Sequence, residues 1–563
     1  MKKSTLFTLA IAGASVITSC SKLGDLSADN FKVNPTPLEA VGGEVPATIN
    51  GIFPEKYMKK KAVVTVTPVL KYEGGEVEGQ AATFQGEKVE GNNTEISYKV
   101  GGTYSMKTNF NYVPAMMKSD LYARFNAKLG KKTVSIPEVK IGYGVLSTSE
   151  LLKRCPITAS TAQDAFQRVI EQKHEASIKF LIGQANLRSS ELSNVGIQDM
   201  VKILKEINDM QEERALQNIE VSAYASPDGI YDLNEKLAEK RQDVSSNYLN
   251  KELKKIKMDA DVETNFTAED WEGFQELVSQ SKLQDKDVIL RVLSMYQDPE
   301  EREQQIRNMS SVFTEIADGI LPELRRARLI VNYEVIGRSD EAILAQFNED
   351  ASKLSIEELL YGANMLVEDN ATRAKWYEKA IQLYPRDYRA YNNMAQMDIM
   401  NGNNTSAQNW LQKAKNVDAK AAEVNANMAL LSLKNGEVEK AETYMGQASG
   451  CDTYNEILGN LNIAKGNYTQ ALQNLSDSKT NSAALIQILT KDYAKAEKTL
   501  AAIQAPDATT SYLKAVLAAR TNDAAGVKNN LKVAIASDSS LKARAAKDLE
   551  FAKYEKTIAD LVK

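Results

Sequence analysis

The chain runs to 563 residues, with 69 Lys and Arg against 75 Asp and Glu and a formal net charge of −6. That balance, spread along the chain, speaks against a nucleic-acid partner, and the length is too great for one core, so three or four domains are expected. A single histidine, His174, and only three cysteines, Cys20, Cys155 and Cys451, remove most routes to hydrolytic triads, His-based metal sites and a disulfide framework. No metal, cofactor or enzymatic activity is expected, and His174 reads as a surface residue at a helix end, just before a strand.

Residues 1–19 carry basic Lys2 and Lys3, an apolar run from Leu6 to Ile17, and then Ile17-Thr18-Ser19-Cys20. Such a segment is a signal peptide and takes no part in the fold. It resembles the lipobox of bacterial lipoproteins, which implies cleavage before Cys20, acylation of that cysteine, palmitate included, and a lipidated tether over 20–30. No later apolar run reaches the roughly 20 residues that span a bilayer, so the mature chain is expected to be anchored to a membrane without crossing it.

Over 31–150 the pattern is of short strands, 62–72, 103–112 and 120–129 among them, separated by Gly74-Gly75, Gly91-Asn92-Asn93 and Gly101-Gly102. This spacing predicts a β-sandwich of the immunoglobulin-like kind, one or two units, without a catalytic constellation.

The reading turns α+β over 161–338. A helix is predicted at 161–172, a strand at 175–181 and a helix at 198–208. A strand through Ile219, Val221 and Ala223 then meets the turn Ser226-Pro227-Asp228-Gly229 and a helix carrying Leu237, Val244 and Leu249. Asn234 and Arg241 stand seven apart and so share one face of that helix. The stretch resembles the signature of the OmpA-like domain, the module that ties outer-membrane proteins to peptidoglycan. Tyr224, Gly229, Asn234, Leu237 and Arg241 fall on its motif without a gap, and Leu324 to Glu334 resembles its closing Arg-Arg strand.

The resemblance implies that Arg241 grips the carboxylate of a cell-wall peptide in a peptidoglycan-binding site of Arg241, Asn234, Ser226, Asp228 and Gly229. Two departures matter. The family's Thr-Asp pair is Ala225-Ser226, and a short link is replaced by a helical insertion over 267–322, with helices at 268–280 and 300–320. Peptidoglycan binding with Asp228 as the substitute anion, a protein-binding relic and a different small ligand all remain open, as does a bracing role in which Arg241 pairs with Asp228.

Over 350–563 the chain is helical and repeats itself. Ala395, Gly402, Ala407 and Ala414 recur as Ala429, Gly436, Ala441 and Ala448; Gly459, Gly466 and Ala471 continue the series, and looser units follow at Tyr493, Ala496, Ala515 and Ala534. The shared spacing matches the tetratricopeptide period, which predicts an all-α solenoid of stacked hairpins. Its concave face is a candidate peptide site lined by Asn392, Asn393, Asn425 and Asn427, while Trp376 and Trp410 read as packing residues. Together these features describe a multidomain outer-membrane lipoprotein of the cell envelope, on the periplasmic face. It would be a scaffold joining membrane to peptidoglycan and gathering protein partners through its repeats, or an assembly or secretion accessory whose OmpA-like domain binds protein instead.

Overall fold

Apolar and polar residues alternate along Glu44–Phe53, so that every second side chain is buried. In the computed structural model, which describes residues 23–283, 285–308 and 310–562, this strand forms a sheet with Phe31–Asn34 and Gly102–Asn111. A second sheet is built on the long antiparallel pair Ala62–Tyr72 and Ser119–Leu129. Val45, Ile49 and Phe53 from the first sheet share one core with Val64, Val66, Leu121 and Phe125 from the second, so the region is a single sandwich. The signal segment and Cys20 lie outside the described residues, and among those described no helix is long and apolar enough to cross a membrane.

Two compact units result, one formed by residues before 163 together with those from 384 onward, the other by 163–383. The helix predicted at 161–172 is absent. Residues 161–168 have no regular structure, and a strand, β1, runs over Val169–Lys179. The physical reason lies in the main chain: the N–H groups of Ala162 and Ala165 go to the side chains of Asn393 and Glu357 instead of helical carbonyls. His174 accordingly sits within β1, its Nε2 3.1 Å from the Gly196 carbonyl, and not at a helix end.

In the second unit β1 is followed by helix α1 (Val195–Asp209), strand β2 (Arg214–Tyr224), helix α2 (Tyr231–Lys255), strand β3 (Val262–Thr267) and strand β4 (Arg326–Ile336). The sheet order is β1-β4-β2-β3, with β3 parallel to β2 and the other pairings antiparallel. Asn194 caps α1 by accepting from the Ile197 N–H at 2.9 Å, and Ile197, Met200, Leu204 and Ile207 supply its buried stripe. Between β3 and β4 the insertion forms α3 (Trp271–Gln280), α4 (Lys286–Met295), α5 (Pro299–Asn308) and α6 (Ser310–Gly319), which share a small core through Phe274, Val278, Ile289, Ile306 and Ile316. The helix predicted over 300–320 is present as α5 and α6 on either side of residue 309, which lies outside the described residues. Residues 350–383, read from sequence as part of the solenoid, belong to this unit, where Trp376 stacks on Phe347 with centroids 3.8 Å apart.

The C-terminal region of the first unit is all-helical and repetitive. Five hairpins pair α7 (Tyr388–Met400) with α8 (Asn404–Val417), α9 (Ala422–Lys434) with α10 (Val438–Met445), α11 (Tyr454–Ala464) with α12 (Tyr468–Asn474), α13 (Asn481–Leu489) with α14 (Tyr493–Ala501), and α15 (Ala508–Arg520) with α16 (Ala524–Ser537). Gly402, Gly436 and Gly466 turn the first three hairpins at φ +79°, +78° and +76°, and Lys491 and Asn522 take the left-handed place in the last two. Ala395, Ala407, Ala429 and Ala441 are wholly buried where helices meet.

Candidate functional site

The turn after β2 and the helix α2 that follows it carry the residues of the predicted peptidoglycan site. Ala225 donates to the Thr267 carbonyl, and its own carbonyl accepts from Asp270, which fixes the end of β2 against the exit of β3. The chain then turns through Ser226, Pro227 and Asp228 to Gly229, at φ +131°, where a side chain would be strained. Asn234 and Arg241 follow on the buried face of α2.

Arg241 does not reach out from this turn. Its guanidinium is wholly buried, and Nε donates to the Gln184 carbonyl at 3.0 Å, Nη1 to Tyr224 at 2.8 Å and Nη2 to Leu181 at 3.2 Å. The ring of Phe180 lies beneath it at 5.2 Å. Burial, and then the charge of Arg325, pull its pKa down to about 10 against the opposing pull of Asp228. It is still a cation at neutral pH, but one spent on main-chain carbonyls.

Nor does Arg241 pair with Asp228. That carboxylate is held by Arg325, whose Nη2 is 3.1 Å from Oδ2, while Arg325 Nε donates to the Ser226 hydroxyl at 3.2 Å and Ser226 donates to Asp228. The next residue, Arg326, lies over Tyr224 and donates to Asp270 at 3.3 Å. Gly229 donates its N–H to Glu303 of α5 at 2.9 Å, and Glu303 also pairs with Arg307. Glu269 stands close by; burial raises its pKa, helped by Glu303 and Glu300 and opposed by Trp271 and Asn234. Sequence reading missed Arg325, Glu303 and Glu269 as members of this cluster. The Arg-Arg pair was the one signal that could have found any of them.

Three of the four asparagines expected to line a peptide site on the solenoid are covered by the chain itself. Residues 147–162, the linker leaving the sandwich, run along the first helices of the hairpins in the direction opposite to repeat order. Thr509 of α15 donates to the Arg154 carbonyl, Glu456 of α11 accepts from Thr158, Asn427 of α9 meets Ser160, and Asn393 of α7 meets Ala162. Asn392, Asn393 and Asn427 are wholly buried beneath this linker. Asn425, expected beside them, instead donates to the carbonyls of Ala419 and Ala421 at the start of its own helix. Cys155 and Cys451 are unpaired and buried, and burial pushes the Cys155 thiol up to about 12. Among the described residues no group of three His, Cys, Asp or Glu side chains is placed to hold a metal ion.

No protein-family model and no curated protein matches the chain. Solved structures that overlap part of it include a tetratricopeptide repeat protein from Parabacteroides merdae, 12% identical over 42% of this chain and 93% of that one, with a TM-score of 0.27. PilW, titled a widely conserved type IV pilus biogenesis factor, is 13% identical over 40% of this chain and 96% of its own, with a TM-score of 0.26. PilF of Pseudomonas aeruginosa is 16% identical over 38% and 95%, with a TM-score of 0.25.

Proposed function

We propose that the protein is a non-catalytic scaffold of the bacterial envelope, held at the outer membrane by a lipid on Cys20, which collects protein partners and serves assembly or secretion. The middle domain is read as a divergent OmpA-like module that no longer grips peptidoglycan through Arg241. One observation carries this choice between the two readings: all three nitrogens of the Arg241 guanidinium are bonded to carbonyls of its own chain in a fully buried site. A ligand carboxylate entering there would meet a guanidinium with three of its five N–H donors already committed, in a site closed to solvent. The Arg325–Asp228 pair and the seat of Glu303 on Gly229 point the same way, because both polar features a wall peptide would use are satisfied internally. The solenoid supports the scaffold role by its architecture, since stacked hairpins present a long continuous surface.

The test is sedimentation of the purified mature protein with intact peptidoglycan sacculi. The wild type is expected to stay in the supernatant and Ser226→Asp to gain nothing. Retention of the wild type on sacculi would restore the wall-linking reading.

A further inference from the structure

The linker on the solenoid is held in two different ways along its length. Its first part, residues 147–155, is built into the core: Leu151 is wholly buried among α13 and α15 side chains, Arg544 donates to the Ser147 carbonyl at 2.8 Å, and Thr148 donates to Glu550. In its second part, 156–162, which has no helix or strand, Ile157 and Ala159 join the core shared by α7 to α11, and the main chain is gripped by side-chain amides. Asn427 accepts from the Ser160 N–H at 2.7 Å and donates to the Ser160 carbonyl at 2.7 Å. Asn393 does the same for Ala162, at 2.7 Å and 2.9 Å. Asn392 donates to the Ser160 carbonyl at 3.1 Å and accepts from Asn427 at 2.9 Å, which closes the network.

The two gripping asparagines are separated by one repeat period, and they hold alternate residues of the linker, Ser160 and Ala162. An amide that pairs with both polar groups of one residue recognises main chain whatever the side chain. Selection comes from the space beneath: Ile157, Ala159, Ser160 and Ala162 point in and are buried, whereas Thr158 does not. Only one of the four is larger than serine. Of the four only Ile157 brings a large apolar side chain to the core of α7 to α11, and from Ser160 onward the stretch is held by main-chain hydrogen bonds of a kind that another peptide also offers.

We infer that the face formed by α7, α9 and α11 is a binding site for an extended segment of a partner protein with the pattern apolar-x-small-small-x-small, and that residues 156–162 are its built-in occupant, displaced when the partner arrives. The inference rests on the scaffold reading and names what the solenoid takes; sacculus sedimentation does not involve this face, so the two fail independently. A tethered occupant lowers the apparent affinity of an incoming peptide in proportion to the time the site stands open.

The experiment uses the full chain and a fluorescent peptide with the sequence of residues 156–163. Ser160→Pro combined with Ala162→Pro removes the two N–H groups that the asparagines accept from and leaves the solenoid's own residues untouched. The peptide is expected to bind this variant at least about tenfold more tightly than wild type, and the gain should vanish when Asn393→Ala and Asn427→Ala are added. Equal binding to wild type and variant, or no gain in a variant whose helical circular dichroism is intact, would overturn the inference. Hydrogen exchange on the wild-type protein provides a second readout that needs no substitution. The amides of 158, 160 and 162 should exchange through local opening, at least about tenfold faster than those of α9; exchange at the rate of α9 overturns the displaceable occupant.

Discussion

Arg325 and Asp228, 97 residues apart in sequence, form an ion pair at 3.1 Å with side chains only 11% and 14% exposed, and Ser226 bonds to both partners. The anion of the turn is thus answered from the start of β4, leaving Arg241 to hold the loop after β1 and the end of β2 by their carbonyls. The two arginines divide the work that one of them was expected to do.

A double-mutant cycle checks that division. Arg325→Met leaves the Asp228 carboxylate in a largely buried place with Ser226 as its remaining side-chain partner, and should cost the second unit about 1.5–3 kcal/mol, as for a hydrogen bond to a charged group. With Asp228→Asn as the other arm, urea melts should give a coupling energy within about 0.5–3 kcal/mol. A coupling near zero would mean that the pair contributes nothing beyond its surroundings.

Arg241→Ala should destabilise the same unit severely. Three buried carbonyls lose a charged donor at once, and each unsatisfied group costs about 1–3 kcal/mol. Arg241→Lys should rescue little, because a single ammonium cannot reproduce a planar fork that reaches Gln184, Tyr224 and Leu181 together. If circular dichroism melts of Arg241→Ala matched wild type, the arginine would not be the brace described.

The solenoid prediction follows from a wholly buried alanine at a helix contact. Ala441→Leu should overpack the interface by about 1–3 kcal/mol and lower the transition of the first unit. Because sandwich and solenoid are joined there by Arg544 to Ser147, Ser149 to the Ala40 carbonyl and Lys547 to Glu73, the sandwich should follow the solenoid while the unit of 163–383 melts as before. Tryptophan fluorescence distinguishes the two, since Trp410 reports the first unit and Trp271 and Trp376 the second.

Features of the chain that repeat or alternate could be read in advance. The strands at 62–72 and 119–129 and the glycines at 402, 436 and 466 announce themselves within a few residues, because a pleat or a hairpin turn is a local demand. The turn–helix unit of 226–241 was legible for the same reason. What each side chain there does was not, because its partner lies far off: Gly229 is met by Glu303, Asp228 by Arg325, and Asn427 by a main chain 267 residues away. The missing helix at 161–172 has the same origin, since a helical composition gave way to distant side chains that took its main-chain donors.

The lipid anchor has its own test. Cys20→Ala should leave an unprocessed precursor that carries no acyl chain, read by mass spectrometry and by labelling with a palmitate analogue. A variant that still matured and partitioned with outer membranes would remove the lipobox from the argument.

A pH dependence follows from the acidic cluster beside the turn. Glu269 is half-buried near Glu303 and Glu300, and its pKa in the folded state is raised above 4.5. A carboxyl raised on folding binds its proton more tightly in the native state, so its contribution is present below the unfolded value and is lost as pH rises through the folded one. Between about pH 4.5 and the raised value the wild-type unit should therefore lose stability. Glu269→Gln keeps an acceptor for the Trp271 Nε1 donor, which lies 2.9 Å from the carboxylate, but cannot ionise. It should be more stable than wild type at pH 7, about equal or slightly less stable at pH 4, and flatter in between. Urea melts of both proteins at pH 4, 5, 6 and 7 measure this directly, and parallel curves would show that Glu269 does not feel the burial and the neighbouring charges assigned to it.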